Sequence, residues 1–347
     1  MTDSPHTALV TGATGFTGGH LARELARQGT RVRTIARDPA AAEPLRRQGI
    51  EIIEGDLRDP RAVRQAAEGC DEIYHIAALY RSAKHPDSVY RDVNVGGTRN
   101  VLDAAADAGA RRVVHCSTVG VHGDIRRIPA GEDAPFSPGD IYQQTKLEAE
   151  QLVRERTRAG LPATIFRPVG IYGPGDTRFL KLFTMIHTGR FRMFGPGQAL
   201  YHLTWIDDLV DGIIRCGRRD EALGQTYILA GPRYTTISEL AALVARAVGQ
   251  PAPRGRLPMW PLEAAAVACE GLCRPLGIEP PLHRRRLDFF LKDRAFTSEK
   301  ACRELGYAPK VDPAEGLART ARWYFDEGYL RGPVPDDAAA ARAPSAA

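Results

Sequence analysis

An α/β architecture, a doubly wound parallel sheet carrying a smaller C-terminal substrate lobe, is what this 347-residue sequence predicts. Three observations carry that prediction. Short β-branched runs alternate with longer helical stretches through the first half, a Gly-rich turn joins the first strand to the first helix, and the alternation gives way near residue 172. Strand and helix in strict alternation require parallel strands, because each strand must return by a crossover, and the crossover helices then cover both faces of the sheet.

Taken in order, the expected strands are Ala8-Leu9-Val10-Thr11, Val32-Arg33-Thr34-Ile35, Ile50-Glu51-Ile52-Ile53, Glu72-Ile73-Tyr74-His75-Ile76, Arg112-Val113-Val114-His115-Cys116 and Ala163-Thr164-Ile165-Phe166. Each is short and rich in residues that suit a pleated, buried surface. Helical patterns fill the gaps at 21–27, 62–68, 101–108 and 147–156. Beyond residue 172 come Gly173-Pro174-Gly175 and Gly195-Pro196-Gly197, then a helix over 207–218 and the strand-like Tyr227-Ile228-Leu229-Ala230. Further helices are expected near 238–248, 262–276 and 313–327. The organisation expected is a dinucleotide-binding (Rossmann) core over 5–171 and a substrate lobe over 172–330, with elements at about 203–230 returning to the core. The Ala-, Asp- and Pro-rich end, 331–347, reads as a disordered tail.

Composition narrows the function classes. With 43% hydrophobic and 26% charged residues the chain is globular with a full core. Its longest apolar run, around Ala264-Ala265-Ala266-Val267-Ala268-Cys269, is too short to span a bilayer, so no integral membrane segment is expected. Asp3 and the early strand at Leu9-Val10 leave no room for a signal peptide, and a cytoplasmic location is expected. Six scattered cysteines include one close pair, Cys269 and Cys273, without a second ligand pair, so no metal site is expected. The net charge of +5 is dispersed and the one basic run, Arg284-Arg285-Arg286, is short. That pattern suits a solvated face or the guidance of an anionic small-molecule substrate or cofactor, not a nucleic-acid partner.

The turn after the first strand reads Thr11-Gly12-Ala13-Thr14-Gly15-Phe16-Thr17-Gly18, with glycines at every third position. A tight turn, the approach of backbone to a pyrophosphate and close packing of helix on strand all exclude side chains, while the helix N-terminus offers N–H groups to phosphate. Gly12, Thr14, Gly15, Phe16, Thr17 and Gly18 are therefore the first cofactor-binding candidates. The second strand ends Thr34-Ile35-Ala36-Arg37, so an alanine holds the position where an acidic residue would take the ribose hydroxyls of NAD(H). Arg37 suits the 2′-phosphate of NADP(H), which is the preferred cofactor; Asp38 remains as the residue that would serve NAD(H).

In Asp140-Ile141-Tyr142-Gln143-Gln144-Thr145-Lys146 a phenol and an ammonium stand four residues apart, hence on one face of a helix. Ser137, Pro138 and Asp140 open that helix, Asp140 as its cap. A tyrosine whose acidity is raised by a nearby ammonium can exchange the proton that must move when hydride is transferred at a carbinol carbon. A hydroxyl at the end of the fifth strand, Ser117 or Thr118, would orient the substrate oxygen.

These motifs, together with Gly55-Asp56-Leu57, His75-Ile76-Ala77-Ala78, Asn94-Val95-Gly96-Gly97-Thr98, Arg167-Pro168 and Trp205-Ile206-Asp207-Asp208-Leu209, follow one another along nearly the whole chain. The sequence resembles the extended short-chain dehydrogenase/reductase superfamily, in particular its 3β-hydroxysteroid dehydrogenase-like and dihydroflavonol reductase-like branch. The resemblance implies that Asp56 and Leu57 border the adenine, that Ala77 and Ala78 pass the ribose and pyrophosphate, and that Pro168 and Val169 meet the nicotinamide. It gives Lys146 a hydrogen bond to the nicotinamide ribose and makes Asn94 the residue that steadies the active-site helix. Matching Val121-His122-Gly123 to the family's Val-Tyr-Gly ending puts Thr118 in the catalytic position beside Tyr142 and Lys146, with Ser117 among the cofactor-binding positions. Homodimers are common in the superfamily, and one is expected here.

The departures from the family select a reaction. Val119-Gly120 stand where a 4,6-dehydratase carries an Asp-Glu pair, which argues against elimination. Arg37 weighs against an epimerase with tightly bound NAD, the alternative reading. The intact Thr118, Tyr142 and Lys146 weigh against a non-catalytic dinucleotide-binding regulator. The expected function is transfer of hydride between a nicotinamide and a secondary alcohol or ketone, on an alicyclic or lipid-like compound if the apolar stretch 260–276 lines its pocket; an ordinary core helix is the commoner reading of such a stretch.

Overall fold

The computed structural model describes residues 6–80, 85–273 and 284–336. The first half reads β1 Thr7–Thr11, α1 Phe16–Arg27, β2 Arg31–Ala36, α2 Glu43–Arg46, β3 Glu51–Glu54, α3 Pro60–Ala67 and β4 Glu72–His75. It continues through α4 Asp87–Arg91, a π-helical turn Asp92–Gly96, α5 Gly97–Asp107, β5 Arg112–Cys116, α6 Ile141–Arg158 and β6 Ala163–Pro168. All six strands expected from the sequence form, and with a later strand, β10 Thr226–Leu229, they make one sheet in the order β10-β6-β5-β4-β1-β2-β3. Every pairing in it is parallel.

Successive side chains of a strand point to opposite faces, and the core divides accordingly. Leu9, Ile73, Val113 and Ile165 pack with Val63, Val101 and Val153 of α3, α5 and α6. Their neighbours Val10, Tyr74, Val114 and Phe166 pack on the other face against Leu21 and Leu25 of α1 and Leu209 and Ile213 of α8 Ile206–Arg218. The strand order reverses at β1, which has β2 on one side and β4 on the other. A crevice at the carboxyl ends of β1 and β4 follows from that reversal, and it is the ligand position of doubly wound sheets.

The remaining elements are β7 Gly170–Tyr172, α7 Leu180–His187, β8 Met193–Phe194, β9 Leu200–Trp205, β11 Tyr234–Thr236, α9 Ile237–Ala247, β12 Arg256–Leu257, α10 Trp260–Cys273, α11 Arg284–Leu291, α12 Glu299–Leu305 and α13 Pro313–Asp326. They build a three-stranded sheet, β11-β9-β7, and a two-stranded one, β12-β8. Among the described residues no helix is long and apolar enough to cross a membrane.

One expectation is corrected. The stretch 260–276 does not line the pocket over its described part: Trp260 and Leu272 of α10 are 70% and 71% exposed, and only Ala266 and Glu270, four apart, are buried. The end of that stretch, 274–276, lies outside the described residues. At the start of the expected tail, Val334 packs against the core and Pro335 lies against Gly249. The rest of the expected tail, 337–347, lies outside the described residues.

Candidate active site

A cavity of about 1090 Å³ opens at the switch point. Gly12, Thr14, Gly15, Phe16, Thr17, Gly18, Arg37, Asp56, Leu57, Ala77, Ala78, Ser117, Thr118, Tyr142, Pro168 and Val169 all line it. Of the residues expected at the site, Lys146, Asn94 and Asp38 are missing from the wall.

The glycine loop fits a dinucleotide. Gly12 has φ +76, and a Cβ there would stand 2.8 Å from the Ala77 Cα; a Cβ on Gly18 would meet the Gly12 carbonyl oxygen at 2.3 Å. Side chains are thus excluded where β1, β4 and α1 converge. Gly15 caps α1 without a side-chain hydrogen bond and the first turn carries no acid, so the amides of this helix end are open to an anion. Arg37 is exposed on the cavity rim. Asp38 does not line the cavity; its Oδ1 accepts from the amides of Ala40 and Ala41 at 2.9 and 3.3 Å. Arg58, a lining residue the sequence reading missed, grips Asp56 through Nε–Oδ1 at 3.0 Å and Nη2–Oδ2 at 2.8 Å. These bonds, the largest cause, hold the Asp56 carboxyl below its ordinary range, with Arg37 adding to the effect. The signal for Arg58 was its place directly after Asp56-Leu57 at the end of β3.

The helix α6 carries Tyr142 and Lys146 on one face. Asp140 Oδ1 accepts from the Gln143 amide at 2.8 Å, the cap expected from sequence. The Tyr142 ring meets the ring of Tyr80 edge-on at 4.9 Å. Thr118 Oγ1 accepts from the Gly120 amide at 3.0 Å, which leaves its O–H to donate into the cavity. Lys146, one turn past Tyr142, is 2% exposed. Burial lowers its pKa, while Cys116 and Glu150 favour its charge.

Asn94 joins the elements around this face. Its Nδ2 donates to Thr145 Oγ1 at 3.0 Å and to the Leu79 carbonyl at 3.2 Å, and its Oδ1 accepts from the Leu79 amide at 2.7 Å. The side chain thus ties α6 to the segment after β4, in keeping with the steadying part the resemblance implies.

Two buried networks beneath the site were not foreseen. Thr98 Oγ1 donates to the Asn94 carbonyl at 2.6 Å, so it must accept from His75 Nε2 at 2.9 Å. His75 Nδ1 is then the acceptor for Thr11 Oγ1 at 2.8 Å, and Thr11 in turn accepts from the Ile76 and Ala77 amides. Burial drives the His75 pKa down to about 3. The second network engages Ser117. Its hydroxyl donates to Glu150 Oε2 at 2.6 Å. Glu150 also receives Arg167 through Nε at 3.0 Å and Nη2 at 2.6 Å, with both residues fully buried. Burial pushes the Glu150 pKa up, but the Arg167 and Ser117 hydrogen bonds outweigh it and the net shift is downward. The sequence did hold a signal: Glu150 continues the four-residue spacing of Tyr142 and Lys146.

A parallel sheet with a dinucleotide cleft at its switch point, and the Tyr142-Lys146 helix beside it, places the protein in the extended short-chain dehydrogenase/reductase superfamily. The model of the NAD dependent epimerase/dehydratase family matches residues 8–230, and the chain belongs to that family. It is 33% identical over 315 residues to the 4-hydroxy-2-methyl-3-oxo-4-farnesyl-3,4-dihydroquinoline-1-oxide ketoreductase of Stigmatella aurantiaca, covering 89% of this chain and 94% of that protein. It is 31% identical to sterol demethylase protein B of Methylococcus capsulatus, covering 93% of this chain and all of that protein. A dTDP-glucose 4,6-dehydratase from Streptomyces venezuelae, solved with NAD bound, superposes with a TM-score of 0.73 at 27% identity, covering 92% of this chain and 97% of the other.

Proposed function

We propose that this protein is an NADP(H)-preferring oxidoreductase that interconverts a secondary alcohol and a ketone on an alicyclic or lipid-like substrate, with Tyr142 as acid and base. The observation that carries the reading is the single cavity onto which the glycine loop, Arg37, Thr118 and Tyr142 all open. A bound nicotinamide supplies hydride transfer at its ring. The open amides of α1 and the loop glycines hold the pyrophosphate, and Arg37 receives the 2′-phosphate; the engagement of Asp38 with Ala40 and Ala41 supports NADP(H) over NAD(H). Thr118 donates its free O–H to the substrate oxygen and orients it. Tyr142 gives that oxygen its proton in reduction and removes it in oxidation. Lys146 holds positive charge one turn behind Tyr142 and favours the phenolate. The relatives named as a ketoreductase and as sterol demethylase protein B support a cyclic, lipid-like substrate. We also propose a homodimer, for which light scattering of the purified protein is the check.

The deciding experiment is an absorbance spectrum and mass analysis of the purified protein before and after denaturation, followed by titration with NADPH and NADH. Cofactor that exchanges freely, with NADPH bound more tightly, is the expected result. Retained NAD would replace this reading with that of an epimerase, which returns its hydride within one cycle. Tyr142→Phe is expected to lower turnover by on the order of 100-fold or more while NADPH affinity changes little.

A further inference from the structure

Three cations reach the cavity from the chain beyond β7: Arg178, Lys292 and Arg294. Two are engaged. Arg178 donates through Nε to Asp176 Oδ1 at 2.7 Å and through Nη2 to the Ile171 carbonyl at 3.0 Å. Lys292 stands 3.7 Å from Asp288. Arg294 differs. It is half-buried, its guanidinium lies over the Tyr201 ring at 5.9 Å, and among the described residues it has no carboxylate or side-chain hydrogen-bond partner.

The position of Arg294 is built. Asp293 Oδ1 accepts from the Leu200 amide at 2.8 Å, and the Arg294 amide donates to the Leu200 carbonyl at 2.8 Å. Arg294 and Tyr201 are paired as an isolated parallel bridge, and the Phe296 amide donates to His202 Nδ1 at 3.4 Å. The segment therefore runs along β9 and lays Arg294 beside Tyr201. The acids that line the cavity are Asp56, gripped by Arg58, Asp288 beside Lys292, Asp140 at the cap of α6 and the exposed Asp124, while Asp293, next in the chain, accepts from Leu200. His202 adds no competing charge. Its Nδ1 accepts, so its Nε2 donates to the Gly231 carbonyl at 3.0 Å, and burial lowers its pKa.

A guanidinium that uses its face on an aromatic ring keeps its N–H edge free for a two-oxygen acceptor. We propose that Arg294 anchors a carboxylate on the substrate, so that the compound turned over is a hydroxy or keto acid and not a neutral alcohol or ketone. The inference rests on the alcohol/ketone reading above and names the substrate class of that site.

The test uses the purified protein saturated with NADPH. Binding of cyclohexanecarboxylate and of its methyl ester, neither of which can be reduced, is measured by calorimetry. Turnover of 4-oxocyclohexanecarboxylate and of its methyl ester is followed by loss of NADPH. The acid is expected to bind and react in preference to the ester by on the order of 10- to 100-fold, with the difference in KM. Arg294→Met is expected to abolish the preference, and Arg294→Lys to restore part of it, with circular dichroism melts of both variants showing the fold intact. Absence of preference in the parent protein, or a preference that survives Arg294→Met, overturns the assignment. Selective binding of the acid that depends on Arg294, with neither ketone reduced, supports the anion site and sinks the ketone reading instead.

Discussion

The ion pair beneath Ser117 is the place where a single atom change should cost most. Glu150→Gln keeps the volume of the side chain and one acceptor oxygen but removes the negative charge that faces the fully buried Arg167. Removing one partner of a buried pair costs about 3–5 kcal/mol, because the remaining charge is left without compensation. The half-exposed Arg154, 3.0 Å from Glu150 Oε1, turns to water and adds little. For 347 residues the unfolding entropy is about 0.7 kcal/mol/K, from about 2.1 cal/mol/K per residue. The substitution should therefore lower Tm by about 4–7 °C, measured by differential scanning calorimetry at neutral pH. Glu150→Leu combined with Arg167→Met should be less destabilising than the sum of the two single changes. A Tm within about 1 °C of the parent, or strictly additive single and double changes, would refute the account of a mutually dependent buried pair.

Three further outcomes are expected. Arg37→Ala should weaken NADPH about 10-fold and NADH hardly at all, since an exposed guanidinium–phosphate contact falls near the lower end of charge-assisted bonds; equal losses for both cofactors would show the assignment wrong. Lys146→Met should move the alkaline rise in alcohol oxidation to higher pH, because the phenol loses the charge that favours its ionised form, and an unmoved profile would remove Lys146 from that part. His115 is fully buried with both ring nitrogens unpartnered among the described residues, and burial drives its pKa well below 6.5. The unfolded chain binds this proton first, so stability is complete above pH 6.5 and is lost as pH falls below it. His115→Leu should leave stability at neutral pH unchanged or raised and reduce the acid-side slope by about 1.4 kcal/mol per pH unit; an unchanged slope in urea melts taken between pH 6 and 4 would refute it.

What the sequence disclosed, and what it concealed, follows from sequence separation. The central strands β1, β4, β5 and β6 were legible because each is a short run whose burial on both faces depends on composition, and β2 and β3 because β-branched residues recur between polar ones. Tyr142, Lys146 and the Asp140 cap were legible because a helix turns their spacing into geometry. His75 looked like one more strand residue, since its partners Thr11 and Thr98 lie 64 positions before it and 23 after it. Arg294 acquires meaning only beside Tyr201, which a bridge between distant segments brings to it. The strands β8 and β12, two residues each, are too short for any period to register. Helix α10 misled because a near-continuous apolar stretch normally indicates burial, whereas here its large side chains Trp260, Val267 and Leu272 are exposed.

The buried layer below the cavity also explains how an ammonium can keep its charge there. Burial alone pushes Lys146 toward neutrality, while Cys116, whose thiol burial raises to about 11, and then Glu150 favour its charge. The two histidines in this layer, with rings 5.3 Å apart, lie close enough to Lys146 that its charge depresses both. By reciprocity a proton on either ring would repel the ammonium by the same amount. The chain from Thr11 through His75 to Thr98 prevents this in hydrogen-bonding terms: the Nδ1 of His75 is occupied as an acceptor, and protonating it would break the bond from Thr11. Thr11 is also the residue that receives the Ala77 amide beside Gly12, so the group that keeps His75 neutral also shapes the glycine loop. The glycine loop and α6 are thereby joined through one neutral imidazole and Asn94, and that imidazole adds no charge against Lys146.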